Sequence, residues 1–217
     1  MKASWSTNKR KKELNDNDSD DNSDTSITKI PFLFGKSPNS YIYSNFNHIY
    51  FNNDITTDTA FELNKELRKV QTQVKTISAS LNLEPQPIYL HLTTNGGDIY
   101  SALSIIDCIE SLTIPLYTVI DGFVASAGTL ISIMGKKRFM TANSYMLIHQ
   151  LRSGYWGKMS DIEDEVSNLQ KLMKHISKFY LNKTKIDKSE LKEILKKDIT
   201  WNLKECINYG LVDDKFI

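Results

Sequence analysis

The sequence predicts a layered α/β domain, and three observations carry that expectation. Two apolar runs, PIYLHLTT and PLYTVI, are continuous enough for strands covered on both faces. Each leads through a Gly-containing turn into a helix-like stretch, so strand, turn and helix repeat as β-β-α or βαβ units. Two longer segments place apolar residues at alternating spacings of three and four, as on a helix with one apolar face.

Residues 1–38 read as a disordered or mobile tail and residues 39–217 as the folded domain. The block NKRKK followed by ELNDNDSDDNSDTS has almost nothing to bury, and a short charged run of this kind reads as a solvated tail before a targeting or nucleic-acid patch. IYSNFNHIYF carries the β-branched and aromatic load of a strand. Ala60, Leu63, Leu67, Val70, Val74, Ile77 and Leu81 then mark one face of a long helix. After PIYLHLTT the turn Asn95-Gly96-Gly97-Asp98 opens a second helix, Ile99 to Leu112, which ends before Pro115. PLYTVI runs to Gly122 and the stretch FVASAGTLISIM, and KKRFMT and YMLIH read as two short strands. Ser160 with Glu163 reads as a capping box for a long helix striped by Ile162, Val166, Leu169, Met173, Ile176 and Tyr180. Asp187 with Glu190, and Asn202 with Glu205, signal two shorter helices, the last stopped at Gly210.

Composition narrows the function. In 217 residues, 27 Lys and Arg against 26 Asp and Glu leave a formal charge of +1, which gives no reason to expect a nucleic-acid partner. Cys108 and Cys206 lie in helix-like patterns without metal-binding spacing, so neither a disulfide framework nor a metal is expected, and a reducing compartment fits. No leader-like apolar region and no run near the ~20 apolar residues of a membrane span appears, so a cytoplasmic protein is expected.

The turns carry the chemistry. Ser126, between two alanines and ahead of an apolar run, fits either an N-cap in a tight packing contact or a nucleophile at a helix start. A nucleophile needs a base, a carboxylate to orient the base, and N–H groups aimed at an oxyanion. The Ala127 amide lies beside Ser126, and Gly96-Gly97 suits a second donor because backbone without Cβ can approach a ligand closely. Of four histidines, His48 and His91 lie in strand patterns and His175 in a helix, whereas His149 ends YMLIH at a sheet rim. Asp198 precedes a capped helix, but spacing alone does not choose it over Asp121 or Asp161.

From about Asn47 to Val212 these motifs resemble the Clp protease proteolytic subunit family, including Clp-like phage proteases. The resemblance rests on Asn95-Gly96-Gly97-Asp98, on Gly122-Phe123-Val124-Ala125-Ser126-Ala127, on Met146-Leu147-Ile148-His149-Gln150, on Asp198, and on Tyr209-Gly210-Leu211-Val212-Asp213. It implies a crotonase-like spiral of β-β-α units with a protruding handle made of a strand, LRSGYWGK, and a long helix over Ser160 to Asn182. It also implies a Ser126–His149–Asp198 triad, with the Gly97 and Ala127 amides as oxyanion hole and no metal or other cofactor, ATP entering only through a partner. The function implied is that of a serine endopeptidase subunit, cleaving unfolded proteins and peptides inside a homo-oligomeric chamber, a heptameric ring or double-ring tetradecamer.

Departures bear on the partner. Thr94-Asn95 stands where the family has Ser-Pro, and Leu151 where it has proline after His-Gln. His91 and Ser111 fall where large apolar or aromatic residues would dock an ATP-driven unfoldase. The same turns, with Trp201 after Asp198, resemble Clp-related proteases of phage capsid maturation, which is the alternative reading alongside a catalytically silent ring subunit. A crotonase-type acyl-CoA enzyme shares the spiral but has no use for a serine–histidine pair.

Overall fold

The computed structural model describes residues 41–217. The expected tail, residues 1–38, lies outside the described residues.

IYSNFNHIYF folds into two strands instead of one. Strands β1 (Ile42–Asn45) and β2 (His48–Asn52) pair antiparallel. Phe46, at φ 59°, makes the turn, and the Asn47 side chain donates to the Pro87 carbonyl at 2.7 Å. Helix α1 (Thr57–Leu81) starts where the Thr56 hydroxyl accepts the Thr59 amide. It buries Ala60, Leu63, Leu67, Val70 and Val74 as its spacing predicts, but Ile77 and Leu81 remain 45% and 61% exposed. Ile77 instead lines an open groove with Phe46 and Val74.

Strand β3 (Ile88–Thr94) is largely buried and leads through the Gly-Gly turn into α2 (Ile99–Glu110), where the Asp98 carboxylate caps Ser101 N–H at 2.7 Å. The helix stops before Leu112 because the Ser111 hydroxyl donates back to the Cys108 carbonyl. Strand β4 (Leu116–Ala125) outlasts PLYTVI, running through Gly122 to the residue before Ser126. Helix α3 (Ala127–Ser132) follows at once, then strands β5 (Lys137–Met140) and β6 (Tyr145–Leu147). Helix α4 (Met159–Lys183) is capped differently from the expectation. Asp161, not Ser160 with Glu163, closes the first turn, its carboxylate accepting the Lys158 amide, because Ser160 already lies inside the helix. Helix α5 (Lys188–Ile194), strand β7 (Thr200–Trp201), helix α6 (Leu203–Asn208) and strand β8 (Asp214–Lys215) complete the fold. The caps at Asp187 and Asn202 form as read. Strands β7 and β8 have too few residues to show a pattern.

The architecture is mixed α/β. The main sheet runs β1-β2-β3-β4-β5-β8, and β2 through β5 and β8 pair in parallel. Strand β4 forks: Tyr117–Ile120 pair with β5, whereas Phe123–Ala125 pair with β6. Gly122, at φ 91°, and a register shift between Leu92 and Thr94 let it splay. Strand β7 closes antiparallel on β6. Leu63, Leu67, Leu90, Leu92, Ile105 and Ile120 form the fully buried centre, each worth about 1.5–3 kcal/mol. Cys108 and Cys206 are buried and unpaired.

The handle is present as a helix only. LRSGYWGK pairs with no strand among the described residues, and Tyr155 and Trp156 are exposed. A single chain offers this edge no hydrogen-bonding partner.

Candidate active site

Strand registers bring the distant residues to one rim. Thr94 pairs with Val124, so the same step carries Gly96 to Ser126. Leu147 pairs with Thr200 and Met146 with Trp201, so two steps further along that register His149 faces Asp198. Ala125 pairs with Leu147, and the Ser126 amide donates to the Leu147 carbonyl at 2.9 Å. Everything thus lies beyond the carboxyl ends of β3, β4 and β6, where open α/β sheets bind ligands. His149 stands past β6 instead of ending it, since that strand stops at Leu147.

Ser126 caps nothing. It occupies the position before α3, but its hydroxyl makes no capping bond and its backbone sits at φ 54°, ψ −126°. For a serine this is a strained conformation, of the kind found at nucleophile elbows. The tight-packing reading of the same stretch also holds, around the serine. A Cβ on Gly96 would come 2.7 Å from Ser126 Cβ, and one on Gly128 would come 2.4 Å from Thr94 Cγ2. Only hydrogen at these positions lets the elbow seat against β3 and its turn.

Gly97 is fixed by its pairing with Ile55. The Ile55 amide donates to the Gly96 carbonyl and the Asp98 amide to the Ile55 carbonyl, at 2.7 and 2.8 Å. This pattern turns the intervening Gly97 amide away from Ile55. A Cβ on Gly97 would lie 2.1 Å from the Ile55 oxygen. Gly97, Ser126, Ala127 and His149 line one cavity of about 30 Å³, floored by Leu130 and Tyr180.

His149 Nδ1 lies 2.7 Å from Asp198 Oδ1, which leaves Nε2 free to face the cavity side. The imidazole is 15% exposed and the carboxylate 52%. No hydrogen bond joins the Ser126 hydroxyl to the imidazole among the described residues, and catalytic bonds of this kind commonly tighten only around substrate. The other candidates have other partners. His48 and His91 bond to each other at 2.9 Å, His91 lies 3.6 Å from Asp121, and His175 packs edge-on against Phe179. Asp161 closes α4.

Sequence reasoning missed Arg152, whose guanidinium donates to Asp198 Oδ2. The hydrogen bond from His149, then the charge of Arg152, hold the Asp198 carboxyl below the usual carboxylate range. A cation three residues beyond His149 was the available signal. Two of the departures have structural roles in this chain. His91 is 6% exposed and stacked on Tyr50, where burial pushes its pKa down, and Ser111 is the α2 cap. Among the described residues, no helix is long and apolar enough to cross a membrane.

Residues 40–216 match the family model described as Clp protease. The chain is 34% identical to the ATP-dependent Clp protease proteolytic subunit 2 of Treponema denticola, and 30% identical to that of Treponema pallidum. Both matches cover 70% of this chain and 77% of the relative. It is 28% identical to the ATP-dependent Clp protease proteolytic subunit of Deinococcus radiodurans, over 59% of this chain and 64% of that one.

Proposed function

The chain belongs to the Clp protease family and is a serine-type endopeptidase, and from that premise we propose that Ser126, His149 and Asp198 form its catalytic triad. One observation carries the assignment: a serine held in a strained elbow, its hydroxyl uncommitted, shares a cavity with a histidine already bonded to a carboxylate.

In this reading Ser126 Oγ attacks the peptide carbonyl carbon while its proton passes to His149 Nε2. The Gly97 and Ala127 amides receive the oxyanion, where one donor is typically worth ~10²–10³ in rate. As the intermediate collapses, the C–N bond breaks and the imidazolium gives its proton to the leaving amine. Water then repeats the sequence on the acyl-enzyme and releases Ser126. Asp198 keeps Nδ1 protonated throughout, and no metal or cofactor takes part.

The family forms oligomeric rings, and we assign this chain to a homo-oligomer, a heptameric ring or a double ring of fourteen. The exposed upper half of α4 and the unpaired 151–157 segment support that assembly, since both leave apolar or hydrogen-bonding surface that another copy can cover. Substrates are unfolded chains and peptides admitted to the chamber, in the cytoplasm. An ATP-driven unfoldase would meet a sheet face where His91, under Tyr50 and beside His48, replaces an apolar anchor.

A fluorophosphonate probe tests the assignment. It should label the assembled particle at Ser126 and leave Ser126→Ala unlabelled; labelling elsewhere, or none, would count against the assignment, and absence of peptide cleavage by a well-formed ring would revive the silent-subunit reading.

A further inference from the structure

We infer that Thr129 and Tyr180 are positioning residues for the oxyanion site: together they hold the carbonyl end of the Ser126–Ala127 peptide, the unit whose N–H receives the oxyanion. The inference rests on the triad and oxyanion reading above.

The Ser126 carbonyl oxygen accepts two hydrogen bonds from one residue, the Thr129 amide at 3.0 Å and the Thr129 hydroxyl at 2.6 Å. A hydroxyl has one proton to donate. With that proton on Ser126, Thr129 Oγ1 is left to accept, and its neighbour is the Tyr180 phenol at 2.5 Å. The chain of donation therefore runs one way, from phenol to threonine to carbonyl. Thr129 is wholly buried and Tyr180 is 2% exposed. Burial pushes the phenol pKa up, which keeps the proton on the donor.

A trans peptide unit is planar, with its C=O and N–H antiparallel. Fixing the Ser126 oxygen therefore fixes the direction of the Ala127 N–H. Hydrogen bonds accepted at the oxygen also polarise the unit and strengthen its N–H as a donor. An ordinary first helical turn supplies its leading carbonyl with an amide alone. Here a hydroxyl is added, at a residue whose positive φ would otherwise relax. Tyr180 comes from the last turns of α4, so the pair also ties that helix to the elbow.

The test uses full-length protein in its assembled form, with Tyr180→Phe, Thr129→Val, Thr129→Ser and the double variant Thr129→Val/Tyr180→Phe. Tyr180→Phe should lower kcat about tenfold at unchanged KM, a fraction of what losing an oxyanion donor costs. Affinity for a peptide aldehyde, which forms a tetrahedral adduct, should fall in the same proportion. Thr129→Val should lose more, and Thr129→Ser should stay near wild type. The double variant is decisive, and serves also if a single one fails to assemble. Removing both polar partners together restores stability toward wild type, so a purely structural pair would recover kcat with stability. A positioning pair leaves kcat and aldehyde affinity down. Recovery of both in the double variant overturns the inference, as does wild-type kcat in Tyr180→Phe and Thr129→Val particles that label at Ser126. Failure of the wild-type particle to label at Ser126 would instead overturn the triad reading beneath it.

Discussion

The two sides of the candidate active site are built by different means. On the nucleophile side Ser126, Ala127 and the Gly96-Gly97 turn are set by strand register and by contacts too close for any Cβ. On the base side, His149 stands two residues beyond its strand, and Asp198, half exposed, is held by His149 and by the 71% exposed Arg152. The first arrangement is fixed within one chain, because backbone and buried core leave it no alternative. The second hangs on a histidine–carboxylate hydrogen bond and on one exposed, solvent-screened Arg152–Asp198 ion pair, at the start of a segment with no strand partner. The two 25-residue helices repeat the contrast: α1 buries its stripe from Ala60 to Val74, whereas α4 buries only Ile176 and Tyr180 of its own. An apolar stripe made by one rule is core over most of its length in one case and exposed at Ile162 and Val166 in the other.

Four experiments would break or sharpen that contrast. Ser126→Ala should abolish peptide cleavage, by ~10⁴–10⁶-fold in kcat, and leave particle mass and melting temperature unchanged. Gly97→Ala should cost ~10²–10³ in kcat/KM and lower stability by about 1–3 kcal/mol, because its Cβ must displace Ile55; urea melts and peptide assays read both, and a silent Gly97→Ala would mean the nucleophile side is less rigid than drawn. Val166→Asp, at a 48% exposed position of α4, should leave monomer stability within about 0.5 kcal/mol while weakening assembly by about 3 kcal/mol or more, the cost of an unpaired buried charge. Light scattering would show smaller particles, and unaltered mass would mean that the stripe faces solvent in the particle too.

Arg152→Gln has the smallest effect, about threefold in kcat/KM at pH 7, as befits an exposed pair. Its sign follows from Asp198, whose carboxyl is held low by His149 first and Arg152 second. A group held low when folded stabilises above its unfolded pKa and loses that contribution as pH falls through the folded value. Removing the guanidinium raises the carboxyl toward its ordinary range. The acid loss of that stabilisation should then begin at higher pH, read as melting temperature against pH, and added salt should imitate the change in wild type. A loss above tenfold at pH 7 would make the base side depend on this one pair.

Much of this was legible in the chain. The apolar runs that became β3 and β4 were readable because burial on both faces demands continuous hydrophobicity, and the caps at Asp187 and Asn202 because capping is local chemistry. Ser126 could be singled out but not decided, since N-cap and nucleophile share one sequence pattern. Its backbone angles and its absent capping bond rule out the cap, and neither is a property of composition. Arg152 was passed over because a cation in a polar loop looks like any other until the fold puts a carboxylate against it.

The sequence by itself determined the longer helices, the buried strands and which few side chains have chemistry to offer, because periodicity, turn residues and caps act over a handful of neighbours. Tertiary structure alone decided that Ser126, His149 and Asp198 share a rim, and which of two similar helices is core. Those outcomes depend on strand register and on what another element leaves uncovered, and register is set between segments far apart in the chain.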